Sequence, residues 1–181
     1  IALRLPETLS SEKDILGEDE KKTLYKILNE VLKDLEGYRK NEGAELGKDI
    51  NLRIDLIESH LQSAVKIDPE RNKKIEEKLR SALEDLKQEV DTNRFEQELI
   101  FYLEKFDITE EKVRLKNHLN YFREVMENDF PNGKKLGFIS QEIGREINTI
   151  GSKANHTELQ KIVVQMKDEL EKIKEQLLNV L

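Results

Sequence analysis

The chain has 181 residues, 38% of them charged and 36% hydrophobic, with 8 Gly, 3 Pro, no Trp and no Cys. This profile fits long solvated helices better than a compact β-sandwich, and the lack of cysteine excludes disulfides and thiolate-held metals. A formal net charge of −7 argues against a uniformly basic nucleic-acid binder, and no apolar run approaches the roughly 20 residues that a membrane-spanning helix needs.

The chain opens on Ile1, and Ile1–Pro6 is too short for a signal peptide, so a fragment or processed chain with a cytoplasmic setting is expected. After Pro6 and a turn at Ser10-Ser11, the residues Leu24, Ile27, Leu28, Val31, Leu32 and Leu35 recur at three- and four-residue spacing. They predict a helix over about 18–39. Gly43 predicts a break. Leu46, Ile50, Ile54, Ile57, Leu61 and Val65 predict a second helix, which Asp68-Pro69 should end or kink. Ile75, Leu79, Ala82, Leu83 and Leu86 predict a third, running to about Val90 and lying antiparallel to the second as a helical hairpin.

Thr92 to Lys105 predicts the fourth helix. Asp107-x-x-Glu110 resembles a capping box for the fifth, whose seam is Leu115, Leu119, Phe122 and Met126 and whose end is Pro131-Asn132-Gly133. The sixth helix carries Leu136, Ile139, Ile143, Ile147 and Ile150 and then meets Gly151. Asn155-x-x-Glu158 opens the last helix with a similar box. There Leu159, Val163, Met166, Leu170, Ile173, Leu177 and Val180 alternate spacings of four and three, a coiled-coil-like seam that needs a partner helix from this chain or from a second copy. The expected fold is all-α, an elongated bundle of about seven long antiparallel helices, with a hairpin region at 1–91 and a motif-bearing region at 92–181. No Gly-x-Gly-x-x-Gly, Walker loop, zinc-finger spacing or internal repeat is present, which argues against dinucleotide, nucleotide and finger functions.

The chemistry gathers between Phe106 and Lys153. Glu111, Arg114 and His118 fall at i, i+3 and i+7, while Gln141, Glu142, Arg145, Glu146 and Thr149 make a second helical stripe. The two stripes make a site if they face each other. His118 suits a divalent-metal ligand or a general acid or base, and equally a partly buried histidine bonded to a neighbouring acid; spacing alone leaves both open. Glu142 and Glu146, at i and i+4, repel unless a cation or Arg145 lies between them. With Glu110 and Glu111 they form an all-oxygen set that, with one imidazole, suits Mg²⁺ or Mn²⁺. Asp107 is either a further ligand or only a helix cap.

Residues 92–111 hold six acids and two bases, and residues 112–153 hold eight bases and five acids. Within the basic stretch, Arg114, Lys134, Lys135, Arg145 and Lys153 are candidate phosphate contacts and Phe138 a candidate base-stacking residue, although surface lysine is commonly mere solvation. His60 and His156 have no matching neighbourhood and read as structural or surface residues.

The runs DITEEKVRLKNH (107–118) and GKKLGFISQEIGREINTIGSKA (133–154) resemble the C-terminal part of the bacterial YicC family, whose patterns read roughly D-I-T-E-E-x-x-R-L-x-S-H and G-R-K-L-D-F-L-x-Q-E-x-N-R-E-x-N-T-x-G-S-K. Similarity continues through KDELEKIKEQLLNVL and, more weakly, back through NEGAELGKDINLRIDLIE to LRLPETL, so it covers nearly the whole chain. Gly137 stands where the family usually has an acid, Gly144 where it has Asn, and Asn117 where Ser is common. The resemblance implies a metal-dependent endoribonuclease with RNA as substrate and with His118, Glu111, Glu142 and Glu146 in its site. It also implies a homo-oligomer of the ring-forming kind and an N-terminal domain that precedes this stretch. Two non-catalytic classes stand beside it: an RNA-binding adaptor that meets RNA-decay proteins, and a helical oligomerisation module.

Overall fold

The computed structural model describes residues 17–85, 92–128 and 131–178. These form five helices and no strand: α1 (Glu18–Asp85), α2 (Thr92–Phe106), α3 (Thr109–Asn128), α4 (Gly133–Lys153) and α5 (Thr157–Leu177). The all-α expectation holds, but the expected seven helices become five because the first three are one. Gly43 lies inside α1, where a glycine costs only about 1 kcal/mol relative to Ala and is outweighed by the strong helix formers around it. Pro69 also lies inside α1. Its ring removes the hydrogen bond to the carbonyl of Val65, but the next turn is anchored by buried Asp68 and Arg71, so the helix continues. The hairpin expected across Asp68-Pro69 is therefore absent. The Ser10-Ser11 turn, the end of the third expected helix near Val90, and Val180 lie outside the described residues.

The described residues fall into two units, one up to Gly43 and one from Ala44 onward. In the first, Leu24, Ile27, Leu28, Val31, Leu32 and Leu35 of α1 are solvent-exposed.

In the second unit, Ile50, Ile54, Ile57, Leu61 and Ala64 of α1 share one core with Leu115, Leu119, Phe122 and Val125 of α3, with Leu136, Ile139, Ile143, Ile147 and Ile150 of α4, and with the seam of α5. These residues repeat at three- and four-residue spacing because that spacing keeps one face of each helix turned inward. Ion pairs fix the directions. Lys112 binds Asp68 at 2.5 Å and Arg123 binds Asp55 at 2.7 Å, so α3 runs antiparallel to α1. Arg53 meets Glu169 at 3.1 Å while Arg71 donates to the Lys153 carbonyl just before α5, which sets α5 antiparallel to α1 as well.

The coiled-coil-like seam of α5 finds its partner inside the chain. Leu159, Ile162, Val163, Met166, Leu170, Ile173 and Leu177 are all buried, so this seam gives no reason for self-association. Two α4 glycines allow the close approach. A Cβ on Gly151 would sit 3.0 Å from Val163 Cγ1, and one on Gly144 would sit 3.3 Å from Leu170 Cδ2. An Asn at 144 would displace Leu170, whereas Gly137 faces open space. The first turn of α5 is capped by His156, whose Nδ1 accepts from Leu159 N–H at 3.4 Å, in place of the expected Asn155 box. His156 is thus structural. None of the described helices is long and apolar enough to cross a membrane.

Candidate functional site

The helices α3 and α4 lie side by side and antiparallel, and two contacts fix their register. At one end, Lys153 Nζ lies 2.6 Å from Glu111 Oε1; at the other, Lys135 Nζ sits 5.3 Å from the centre of the Tyr121 ring. His118 lies between Glu111 and Tyr121 on α3, and Glu142 and Glu146 lie between Lys135 and Lys153 on α4, so all three belong to the stretch between the two contacts. The flank of α3 that carries Glu111, Arg114, His118 and Tyr121 is the one turned to α4, because the opposite flank is tied to α1 through Lys112 and Arg123. On α4 the flank with Lys135, Glu142, Glu146, Thr149 and Lys153 meets α3, while Gly144 and Gly151 face α5. The facing flanks of α3 and α4 border one groove, in which Glu111 of the first predicted stripe meets Lys153, while Arg114, Gln141 and Arg145 are exposed.

Within it, His118 and Glu142 are partly buried and Glu146 is buried. Glu142 is ion-paired with Arg145 at 3.1 Å. Glu111 is only 5% exposed; its Oε1 takes the Lys153 ammonium and its Oε2, also buried, has no partner. The distance along α3 from Glu111 to His118 is about two helical turns, about 10 Å. Glu110 is exposed and paired with Arg114. It does not reach back to close a capping box. Asp107 Oδ1 accepts both the Thr109 hydroxyl at 2.7 Å and the Thr109 N–H at 3.0 Å. The hydroxyl bond chiefly, helped by the N–H and by Lys112 and Lys153, holds the Asp107 carboxyl below its ordinary pKa. Asp107 is thus a turn-stabilising acid.

Among the described residues, no three His, Asp or Glu side chains are already gathered as a metal group. The expected ligands are engaged separately: Asp107 with Thr109, Glu110 with Arg114, Glu111 with Lys153 and Glu142 with Arg145.

Of the expected phosphate contacts, Arg114, Lys134, Lys135 and Arg145 are exposed and Lys153 is half-buried against Glu111. Phe138 is 56% exposed on the outer side of the groove.

The sequence reading missed a charged hub beneath the groove's Lys153 end. Arg71, 1% exposed, donates to Asp68 Oδ1 at 2.9 Å, to the Phe106 carbonyl at 2.7 Å, to the Lys153 carbonyl at 3.1 Å and to Asn72 Oδ1 at 2.9 Å. It thereby satisfies carbonyls at the C-terminal ends of α2 and α4, where helices leave acceptors unpaired. Asp68 also holds Lys112, and Lys153 Nζ donates to the Asp107 carbonyl at 3.1 Å. The available signal was Asp68-x-x-Arg71, an i, i+3 pair beside a proline that had been read only as a helix end.

Residues 64–181 match the family described as endoribonuclease YicC-like, C-terminal. The chain belongs to this YicC-like family. Its match begins within α1, just before the Asp68–Arg71 hub, and takes in the whole α3/α4 groove. A probable endoribonuclease YicC from Clostridioides difficile is 36% identical over 170 residues, covering 90% of this chain and 58% of the relative. A probable endoribonuclease YicC from Haemophilus influenzae is 28% identical over 181 residues, covering 98% of this chain and 62% of the relative. The YicC-like chain thus spans about three-fifths of the length of these relatives.

Proposed function

We propose that a protein carrying this chain is a divalent-metal-dependent endoribonuclease and that the α3/α4 groove is its catalytic face. What supports the reading is membership of a family described as endoribonuclease YicC-like, together with His118 on α3, Glu142 and Glu146 on the neighbouring α4, and the exposed Arg114 and Arg145 on the same two helices. Two carboxylates and one imidazole are a donor set that Mg²⁺ or Mn²⁺ accepts, with Mn²⁺ tolerating the nitrogen better. His118, Glu142 and Glu146 would hold the ion, with Glu111, Glu110 and Asp107 as further candidate ligands. A bound cation supplies positive charge against the charge that builds on phosphorus during cleavage.

The chain's own residues supply the rest. Arg114 and Arg145 sit in exposed pairs with Glu110 and Glu142, and exposed pairs are worth only about 0–1 kcal/mol, so exchanging a carboxylate for an RNA phosphate costs little. Release of Arg145 from Glu142 at the same time frees that carboxylate for a cation. Lys134, Lys135 and Lys153 add phosphate contacts, and Phe138 a stacking surface. His118 would otherwise act as a general acid or base in the cleavage.

The test uses a protein of the relatives' full length. His118→Ala and Glu142→Gln should each abolish RNA cleavage without loss of helicity, and each should weaken Mn²⁺ binding followed by paramagnetic resonance. Unimpaired cleavage by both variants would reject the groove as the catalytic face. One observation favours an assembly role in addition: the exposed Leu24–Leu35 face of the first unit, which suits the expected homo-oligomer.

A further inference from the structure

Helix α1 has two places where local chemistry weakens it, and only one of them is braced. At Pro69 long-range ties hold the chain: Asp68 and Arg71 are 3% and 1% exposed, Arg71 donates to the Phe106 and Lys153 carbonyls, and Asp68 holds Lys112. The other place is Gly37–Gly47, where three glycines fall within eleven residues. None of the three is needed for packing. An added Cβ would meet nothing within 4 Å at Gly37, Gly43 or Gly47, and none of them has a positive φ, whereas Gly144 and Gly151 of α4 would meet Leu170 and Val163 at 3.3 and 3.0 Å. Each of the three therefore weakens the helix relative to alanine with no gain in contact. No outside bond makes up the difference. Among the described residues, no side chain from Leu24 to Ala44 makes a hydrogen bond or ion pair. The first buried residue of α1 is Ile50, and its first side-chain bond to another helix runs from Arg53 to Glu169.

We propose that α1 is jointed at Gly37–Gly47: the helix bends there and not at Pro69, and the arm from Glu18 to Glu36, with its exposed Leu24–Leu35 face, turns as a rigid helix. Sharp bends in helices arise chiefly at proline and at glycine, and of the two candidates in α1 the proline is tied down while the glycines are not. Glycine keeps the backbone hydrogen bond that proline removes, so the helix survives the joint. With no side chain on the surface, it also offers the least resistance to carbonyls tilting toward water. Such a joint lets the apolar face of the arm be brought onto its cover without displacing the Ile50–Ala64 segment from the core it shares with α3, α4 and α5. The inference uses α1 alone and is independent of the RNA reading.

The chain has no cysteine, so introduced pairs are its only thiols for spin labels. Double electron–electron resonance reads their separation in the 181-residue chain, with an excess of unlabelled chain added so that only pairs within one molecule count. Lys33→Cys with Leu52→Cys spans Gly37–Gly47, and Ser59→Cys with Lys78→Cys spans Pro69 over the same 19 residues, about 28 Å along a straight helix; all four positions are exposed. Lys22→Cys with Glu36→Cys lies wholly inside the arm. The pair across Pro69 and the pair inside the arm should give narrow distance distributions. The pair across the glycines should give one at least about twice as wide, with the added width on the short side, as a bend requires. Adding Gly37→Ala, Gly43→Ala and Gly47→Ala together should narrow it to the width found across Pro69. Equal widths for the two spanning pairs in the wild-type background would overturn the joint, as would a distribution that stays wide with all three alanines in place. A wide distribution for the pair inside the arm would mean that the arm unravels and does not turn, which overturns the proposal as well.

Discussion

Removing the charge from Asp68 should be more damaging than removing Arg71, although Arg71 makes more bonds. Among the described residues Asp68 is the only carboxylate bonded to Arg71, which is 1% exposed, and it also pairs with Lys112 at 2.5 Å. In Asp68→Asn the two cations remain beside a neutral amide, and a buried charge stripped of its partner typically costs about 3–5 kcal/mol. Arg71→Met keeps much of the volume and leaves Asp68 balanced by Lys112. What it loses is the donor to the Phe106 and Lys153 carbonyls, about 1–3 kcal/mol for groups left short of a partner, and water at the helix ends offsets part of that. About 2 kcal/mol is expected. In the double variant no buried guanidinium is left unpaired, so its loss should fall below the sum of the single losses by at least about 1 kcal/mol. Urea unfolding of the chain, followed by far-UV circular dichroism, measures all three. With a slope near 2 kcal/mol per molar, Asp68→Asn should lower the midpoint by about 1.5–2.5 M. A loss under about 1 kcal/mol for Asp68→Asn, or strictly additive losses, would refute the hub as a charge-coupled unit.

Two further outcomes test the packing and the acid. Gly43→Ala should gain up to about 1 kcal/mol in helix stability, since nothing lies within 4 Å of the added Cβ, whereas Gly151→Ala should not gain and should lose about 1 kcal/mol, since its Cβ meets Val163 at 3.0 Å; equal shifts in urea midpoint would contradict the close α4/α5 approach. Asp107, held below its ordinary pKa chiefly by the Thr109 hydroxyl, contributes stability that is complete above the unfolded pKa of about 4 and is lost as pH falls through its lower folded value. Asp107→Asn should therefore flatten the fall in stability below about pH 4 and leave the slope above it unchanged; an unaltered acid limb would show that the cap is not formed in solution.

The periodic signals were the ones that survived translation into structure, and the reason is physical. Ile143, Ile147 and Ile150, or Leu115 and Leu119, sit where they do because any helix turned toward a core must repeat at that spacing, whatever covers it. The stripes of α3 and α4 were legible on the same ground: residues spaced for one flank stay on that flank. What covers a flank is not written locally. The α5 seam reads alike whether its partner is a second copy or α4, and only the contacts of Gly144 and Gly151 with Leu170 and Val163 decide it.

The breaker signals failed for the complementary reason. Gly43 and Pro69 weaken a helix by amounts known from local chemistry, but whether the chain turns depends on what the next residues bind. Arg71, two positions beyond Pro69, finds its carbonyls 35 and 82 residues away, and no window of sequence contains them together. The same long-range bonds tie the end of α4 to the start of α3 through Lys153, Glu111 and Asp107. The turn after Pro69 is therefore tied to the ends of α2 and α4 by one buried arginine. Loss of its partner Asp68 should loosen the groove at its Lys153 end before it disturbs the Tyr121 end, because only the former is anchored to α1 through the hub.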